Sequence, residues 1–146
     1  MSTKSFHQFI NEKKDTKKEI LYSALLDFMK KTKSDWNYIT PEELHKEDLS
    51  KYFLLDIRKE EDYKKGHIKG AKNIYWENLL DKENLKKLPN DKKIILICYV
   101  GHTASQMLVA LKLLGYDVIA LKFGMGKSPV KGVSVSGWLD LGFETI

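Results

Sequence analysis

Apolar residues recur at helical spacing early in the chain and then give way to short continuous runs. Leu21, Ala24, Leu25, Phe28 and Met29 share one helical face, with Lys14, Lys17, Lys18 and Lys31 largely elsewhere. The segment up to about Ser34 is therefore predicted to be an amphipathic helix. Phe6, Phe9 and Ile10 repeat the spacing upstream, so residues 1–34 read as an N-terminal helical arm that packs on the main domain or on a second subunit.

From about Asp35 the pattern alternates between strand and helix. Tyr38 to Thr40 is a short strand candidate, and Thr40 followed by Pro41, Glu42 and Glu43 has the chemistry of a helix start: a hydroxyl N-cap, proline in the first turn, and acids beside the positive helix end. That helix is predicted over PEELHKED. YFLLD, residues 52–56, is an apolar strand ending in an acid; Tyr63 lies in a short polar helix closed by Gly66; Asn73 to Tyr75 is a further strand. A helix is expected through ENLLDKENLKKL. Ile94 to Cys98 is the most apolar strand, and Met107, Leu108, Leu111 and Leu114 give the following helix an apolar face until Gly115 stops it. Val118 to Leu121 is the fifth strand. Strands alternating with helices require right-handed crossovers and a parallel sheet covered on both faces, so residues 35–146 are read as one α/β domain.

Composition narrows the range of functions. A chain of 146 residues, 42% hydrophobic, buries one sizeable core and leaves little for a second. The N-terminal stretch MSTKSFHQFINEKK has no apolar signal region, and no apolar run is long enough to span a bilayer, which points to a cytoplasmic protein with no membrane partner. The net charge of +5 would suit a nucleic-acid partner. Its distribution does not: lysines are scattered in pairs along the chain, Arg58 is the only arginine, and no basic stripe is interleaved with aromatics. His7, His45, His67 and His102 have neither ligand spacing nor cysteine company, so neither a metal site nor a cofactor is expected.

The chemistry gathers at ICYVGHTAS, residues 97–105, which holds the only cysteine. Cys98 has no internal disulfide partner, so its reactions must be completed by another molecule. It ends the most buried strand candidate, and ligands of open α/β sheets bind beyond the carboxyl ends of strands. Gly101 permits a tight turn, and Thr103, Ala104 and Ser105 are small enough for backbone amides to converge ahead of a helix. Such a nest, with the positive helix end, would lower the thiol pKa and hold an anion beside the sulfur. Equally, a lone cysteine at a strand end serves as a small buried apolar residue. Spacing alone leaves both readings open.

Three separated segments resemble one family. LLDIRKEEDYKKGHIKGAKNI, residues 54–74, is similar to the rhodanese signature, an Asp and Arg after an apolar strand and then G-H-I-x-G-A-x-N-I. ICYVGHTAS resembles the active-site loop of that family, and Gly124 and Met125 followed by SGWLDLGFE are similar to its closing segment. The resemblance runs from about Ile39 to Phe143. It implies a rhodanese-like fold, a five-stranded parallel sheet flanked by helices on both faces, here with an N-terminal helical extension. It also implies a sulfurtransferase in which Cys98 carries sulfane sulfur from a small donor to a thiol or cyanide acceptor, an acceptor protein included. The amides of Tyr99, Val100, Gly101, His102, Thr103, Ala104 and Ser105 would stabilise the persulfide. Asp56 and Arg58 would support the loop or its charge balance, and His67 would fix the G-H-I-x-G turn.

Two departures from the family pattern bear on activity. Catalytic rhodanese loops often carry an Arg or Lys, and here His102 is the only titratable loop side chain besides Cys98 and Tyr99. The insertion GKSPVKGVS, residues 126–134, falls after the fifth strand on the expected active-site side, so Lys127 and Lys131 are candidates for the missing anion-binding charge. A cysteine phosphatase would need an arginine in the loop to hold the phosphoryl oxygens, and Thr103 and Ala104 stand where it would fall. The alternative from another class is a rhodanese-like module that binds a partner, or senses persulfide, without turnover.

Overall fold

The computed structural model describes residues 16–32, 36–127 and 136–146. The chain divides into two units, Met1–Trp36 and Asn37–Ile146. The described part of the first is one helix, α1 (Thr16–Thr32), none of whose residues is buried. Its apolar positions Ile20, Leu21, Leu25, Leu26 and Met29 are all exposed, the first by 64%. Phe6, Phe9 and Ile10 lie outside the described residues.

The second unit is built on five parallel strands: β1 (Tyr38–Ile39), β2 (Phe53–Asp56), β3 (Lys72–Asn73), β4 (Ile94–Ile97) and β5 (Val118–Leu121), in the spatial order β1-β5-β4-β2-β3. The register pairs Phe53 with Ile94 and Asp56 with Ile97, then Ile94 with Val118 and Leu96 with Ala120. The continuous apolar runs occupy the centre of this order, where both faces are covered. All four residues of β4 are fully buried, and at about 1.5–3 kcal/mol for each large aliphatic side chain removed from water, this strand anchors the domain. The strand brought deepest is also the one whose carboxyl end carries Cys98.

Helices α2 (Pro41–Lys46), α3 (Glu60–Lys65), α4 (Lys82–Leu85) and α5 (His102–Leu113) connect the strands. The predicted start of α2 takes the form of a reciprocal capping box: Glu43 N donates to Thr40 Oγ1 at 3.2 Å and Thr40 N to Glu43 Oε2 at 2.8 Å. The helix stops at Lys46, two residues short of the expected PEELHKED, because Asp48 accepts from Ser50 N at 3.0 Å and caps a separate 3-10 turn, Leu49–Lys51.

A larger departure lies in residues 77–88. In place of one helix there are a 3-10 turn, Trp76–Asn78, and the four-residue α4. Asp81 is extended between them, and Asn84 Nδ2 donates to the carbonyl of Asn78 at 2.8 Å, so a side chain takes an acceptor that a continuous helix would have used. The break buries Leu79 and Leu88 and leaves Leu80 exposed. The third strand is likewise Lys72–Asn73 and not the predicted Asn73–Tyr75.

Candidate active site

β4 ends at Ile97, and the next four residues, Cys98 to Gly101, turn sharply to deliver the chain into α5. Gly101 makes the turn with φ 96°, a left-handed conformation that costs a residue with a Cβ of the order of 1 kcal/mol. Ser105 fixes the first turn of α5, its Oγ donating to Gly101 O at 2.8 Å while lying 3.0 Å from Tyr38 Oη.

The turn wraps around sulfur. Gly101 N and Ala104 N donate to Cys98 Sγ at 3.1 and 3.4 Å. The amides of Val100 and Thr103 also favour the thiolate. Of the seven amides expected around the sulfur, that of Ser105 is spent on the helix bond to Gly101 O. His102 and Thr103 open α5, His102 exposed.

The expected fall in the Cys98 pKa is not what the structure gives. Cys98 is only 2% exposed, and this burial pushes the thiol up by more than the Ala104, Gly101, Val100 and Thr103 amides pull it down. Withdrawing a charged sulfur from water costs more than a few neutral dipoles return. The four amides offset part of that cost, so the loop favours negative charge on the sulfur more than an apolar pocket of equal burial would.

Asp56 and Arg58 form a buried ion pair beside the loop. Arg58 donates to Asp56 through Nε at 3.1 Å and through its terminal guanidinium nitrogen at 2.7 Å, and the Arg58 amide adds a bond at 3.0 Å. The guanidinium also reaches Gly66 O at 2.9 Å, and Asn73 Nδ2 donates to the carbonyls of both Asp56 and Arg58 at 2.9 Å. Both charges are thus satisfied within the protein, with no hydrogen bond to Cys98 Sγ. Their connection to the loop passes through Tyr99, whose ring centroid lies 5.9 Å from the guanidinium carbon. His67 stacks on Tyr63 at 3.8 Å and exchanges two backbone bonds with Ile146, closing the G-H-I-x-G turn onto the chain end.

Several contacts at the site were not anticipated from the sequence. Tyr99 Oη donates to Asp62 Oδ2 at 2.5 Å, and burial followed by this carboxylate pushes the hydroxyl up to about 12. Lys65 and then Tyr99 hold the Asp62 carboxyl below its ordinary value. The segment after β5 is stitched to the loop: Met125 N donates to Cys98 O and Gly126 N to Tyr99 O, each at 2.8 Å. Gly124 makes this approach feasible, since a Cβ there would lie 2.2 Å from Cys98 O. A cleft of about 240 Å³ opens next to Tyr99, bordered among others by Asp62, Lys65, Lys127 and Leu139. Lys127 is thus brought to the loop, whereas Lys131 lies outside the described residues. The sequence held one signal for the stitching, the glycine spacing at Gly124 and Gly126, whose φ values are 54° and 77°. Nothing marked the Tyr99–Asp62 pairing, a contact across 37 residues of chain. Among the described residues no three His, Cys, Asp or Glu side chains group as metal ligands.

A family model described as the rhodanese-like domain matches residues 40–127. The chain belongs to the rhodanese-like domain family. The probable adenylyltransferase/sulfurtransferase MoeZ of Mycobacterium tuberculosis is 33% identical over 90 residues, 60% of this chain and 23% of that protein, so this chain spans about a quarter of its curated relative. Among solved structures, a rhodanese-related protein from Thermoplasma volcanium superposes with a TM-score of 0.62 at 25% identity, covering 75% of this chain and 96% of that one. The rhodanese-like domain of an Anabaena protein shares the fold at a TM-score of 0.59 and 22% identity, over 75% of this chain and 78% of that one.

Proposed function

We propose that this protein is a sulfurtransferase that moves sulfane sulfur through a persulfide on Cys98. The observation that carries this reading is the sulfur cradle: Cys98 Sγ, at the carboxyl end of the central strand, receives Gly101 N and Ala104 N at 3.1 and 3.4 Å where α5 begins. Donors arranged around a sulfur, and not around an oxygen-rich anion held by arginine, suit an anion that resides on sulfur itself.

In the first step the Cys98 thiolate attacks the outer sulfur of thiosulfate, or of a low-molecular-weight persulfide. The new S–S bond forms as the donor's own bond breaks, and sulfite or the donor thiolate leaves with the electron pair. Cys98 then carries –S–S⁻, whose charge faces the amides. In the second step cyanide or an acceptor thiolate attacks the outer sulfur, and the Cys98 thiolate departs, restoring the starting state. Lys127 and Lys131 supply positive charge for anionic donors, and Asp56 with Arg58 brace the strand end from which the loop springs. No cofactor enters either step. The acceptor is a small thiol or a protein thiol in the cytoplasm.

The intact mass after incubation with thiosulfate tests the proposal. One added sulfur is expected on the wild-type chain, removable by cyanide as thiocyanate, and none on Cys98→Ser; an unmodified wild-type protein would refute it. The reading of Cys98 as a persulfide sensor without turnover is favoured by the same burial that raises the thiol pKa. It predicts the adduct without multiple turnovers.

A further inference from the structure

The two backbone passes that flank residues 128–135 meet at one carboxylate. Asp140 accepts from Lys127 N at 3.3 Å on both oxygens and from Gly137 N at 3.0 Å on Oδ2. The junction is tight, because a Cβ on Gly126 would lie 2.0 Å from Asp140 Oδ2 and one on Gly137 would lie 2.3 Å from Gly126 N. Gly126 in turn donates to Tyr99 O, so an unbroken chain of contacts runs from Asp140 through Lys127 and Gly126 to the residue that follows Cys98.

Lys127 is held there against its backbone preference. Its φ of 47° is left-handed, a region sparsely used by residues with a long side chain, and it persists where surrounding contacts over-determine it. The two amide bonds of Asp140 are those contacts. The side chains at the cleft then differ in one respect. The Lys65 ammonium is bound by Asp62 at 2.8 Å, whereas the Lys127 ammonium has no ion-pair partner among the described residues, and Asp140 spends its oxygens on amides.

We infer that Asp140 is a positioning residue that fixes Lys127 at the rim of the Cys98 loop and so sets the preference of Cys98 for anionic reaction partners over neutral ones. The inference rests on Cys98 being the reacting sulfur. Its sign separates it from plain electrostatics. If Asp140 acted only as a nearby negative charge, removing it would make the site more attractive to anions. If it positions Lys127, removing it makes the site less so.

The experiment compares the alkylation rates of Cys98 in the full chain by iodoacetate, an anion, and iodoacetamide, its neutral counterpart, at low ionic strength. The ratio of the two rates cancels thiolate fraction and burial, which affect both reagents alike. The ratio is expected to fall roughly two- to fivefold in Lys127→Ala and in Asp140→Ala, the range for one partly exposed charge. Asp140→Asn, which keeps an acceptor oxygen, falls less, and combining Asp140→Asn with Lys127→Ala takes the ratio no lower than Lys127→Ala alone. A ratio that rises or is unchanged in Asp140→Asn and Asp140→Ala overturns the inference. Should Asp140→Ala fail to fold, Asp140→Asn decides by the same sign. Failure of wild-type Cys98 to take up sulfur from thiosulfate would refute the sulfurtransferase reading alone, since the alkylation ratio does not depend on it.

Discussion

At the scale of single residues, the sequence points to Cys98 as the candidate reacting sulfur, and its ionisation is set by a competition that spacing does not weigh. Gly101, Ala104 and the start of α5 argue for a thiolate; the apolar strand IILI that carries Cys98 inward argues against one, and burial prevails. The consequence is a pH dependence of defined sign. A thiol whose folded pKa lies above its unfolded value of ~8.5 binds its proton more tightly in the native state, so its contribution to stability is full below ~8.5 and is lost as pH rises through the folded value. Urea unfolding of the wild type should therefore weaken above about pH 8.5 relative to Cys98→Ser, and the midpoint of its alkylation rate should lie above that of a free thiol. A midpoint below ~8.5 would show that the amides win after all. Asp56 and Arg58 illustrate the other side of residue-level reading. Their place at a strand end was visible, yet only the structure shows that the pair turns inward and saturates itself, with Asp56 fully buried.

Elements were legible where one local signal acted without rivals. The Thr40 cap, the Gly115 stop and the bounds of β5 follow directly from residue type and periodicity. Residues 77–88 misled because Asp81 and Asn84 offer competing local bonds within an apparent helical pattern, a contest that periodicity does not resolve. The segment after β5 depended on something less visible still, the close approach of Gly124 to the Cys98–Tyr99 backbone. Gly124→Ala would place a Cβ 2.2 Å from Cys98 O and 2.9 Å from Tyr99 C, where backbone and not a flexible side chain must yield. We expect a loss of about 1–3 kcal/mol in urea unfolding, together with a reduced yield of Cys98 persulfide because the loop carrying the sulfur is displaced. Gly115→Ala is the control. Its φ of 92° is equally left-handed but nothing lies within 4 Å of the added carbon, so it should lose only about 1 kcal/mol of backbone strain and leave Cys98 reactivity intact.

For the whole molecule, the alternation of strand and helix was sufficient to give a parallel α/β domain, and the observed order β1-β5-β4-β2-β3 places the most apolar run at its centre. The arm was harder to read. An apolar helical face says that a surface needs cover and not what provides it, and in α1 Ile20, Leu21, Leu25, Leu26 and Met29 are all exposed. Among the described residues, the core cluster running from Leu44 through Ile95, Ile97 and Leu121 to Trp138 lies in the second unit, as does the sulfur cradle. A chain shortened to residues 37–146 should therefore unfold in one cooperative transition and take up sulfur on Cys98 to the same extent as the full chain. Among the described residues no helix is long and apolar enough to cross a membrane, and an exposed apolar helical face of this kind promotes association in water. Sedimentation velocity should consequently show concentration-dependent self-association for the full chain and a monomer for the shortened one. If the shortened chain instead aggregates or melts over a broad range, the arm covers part of the domain, and the exposed face of α1 is not the surface that governs association.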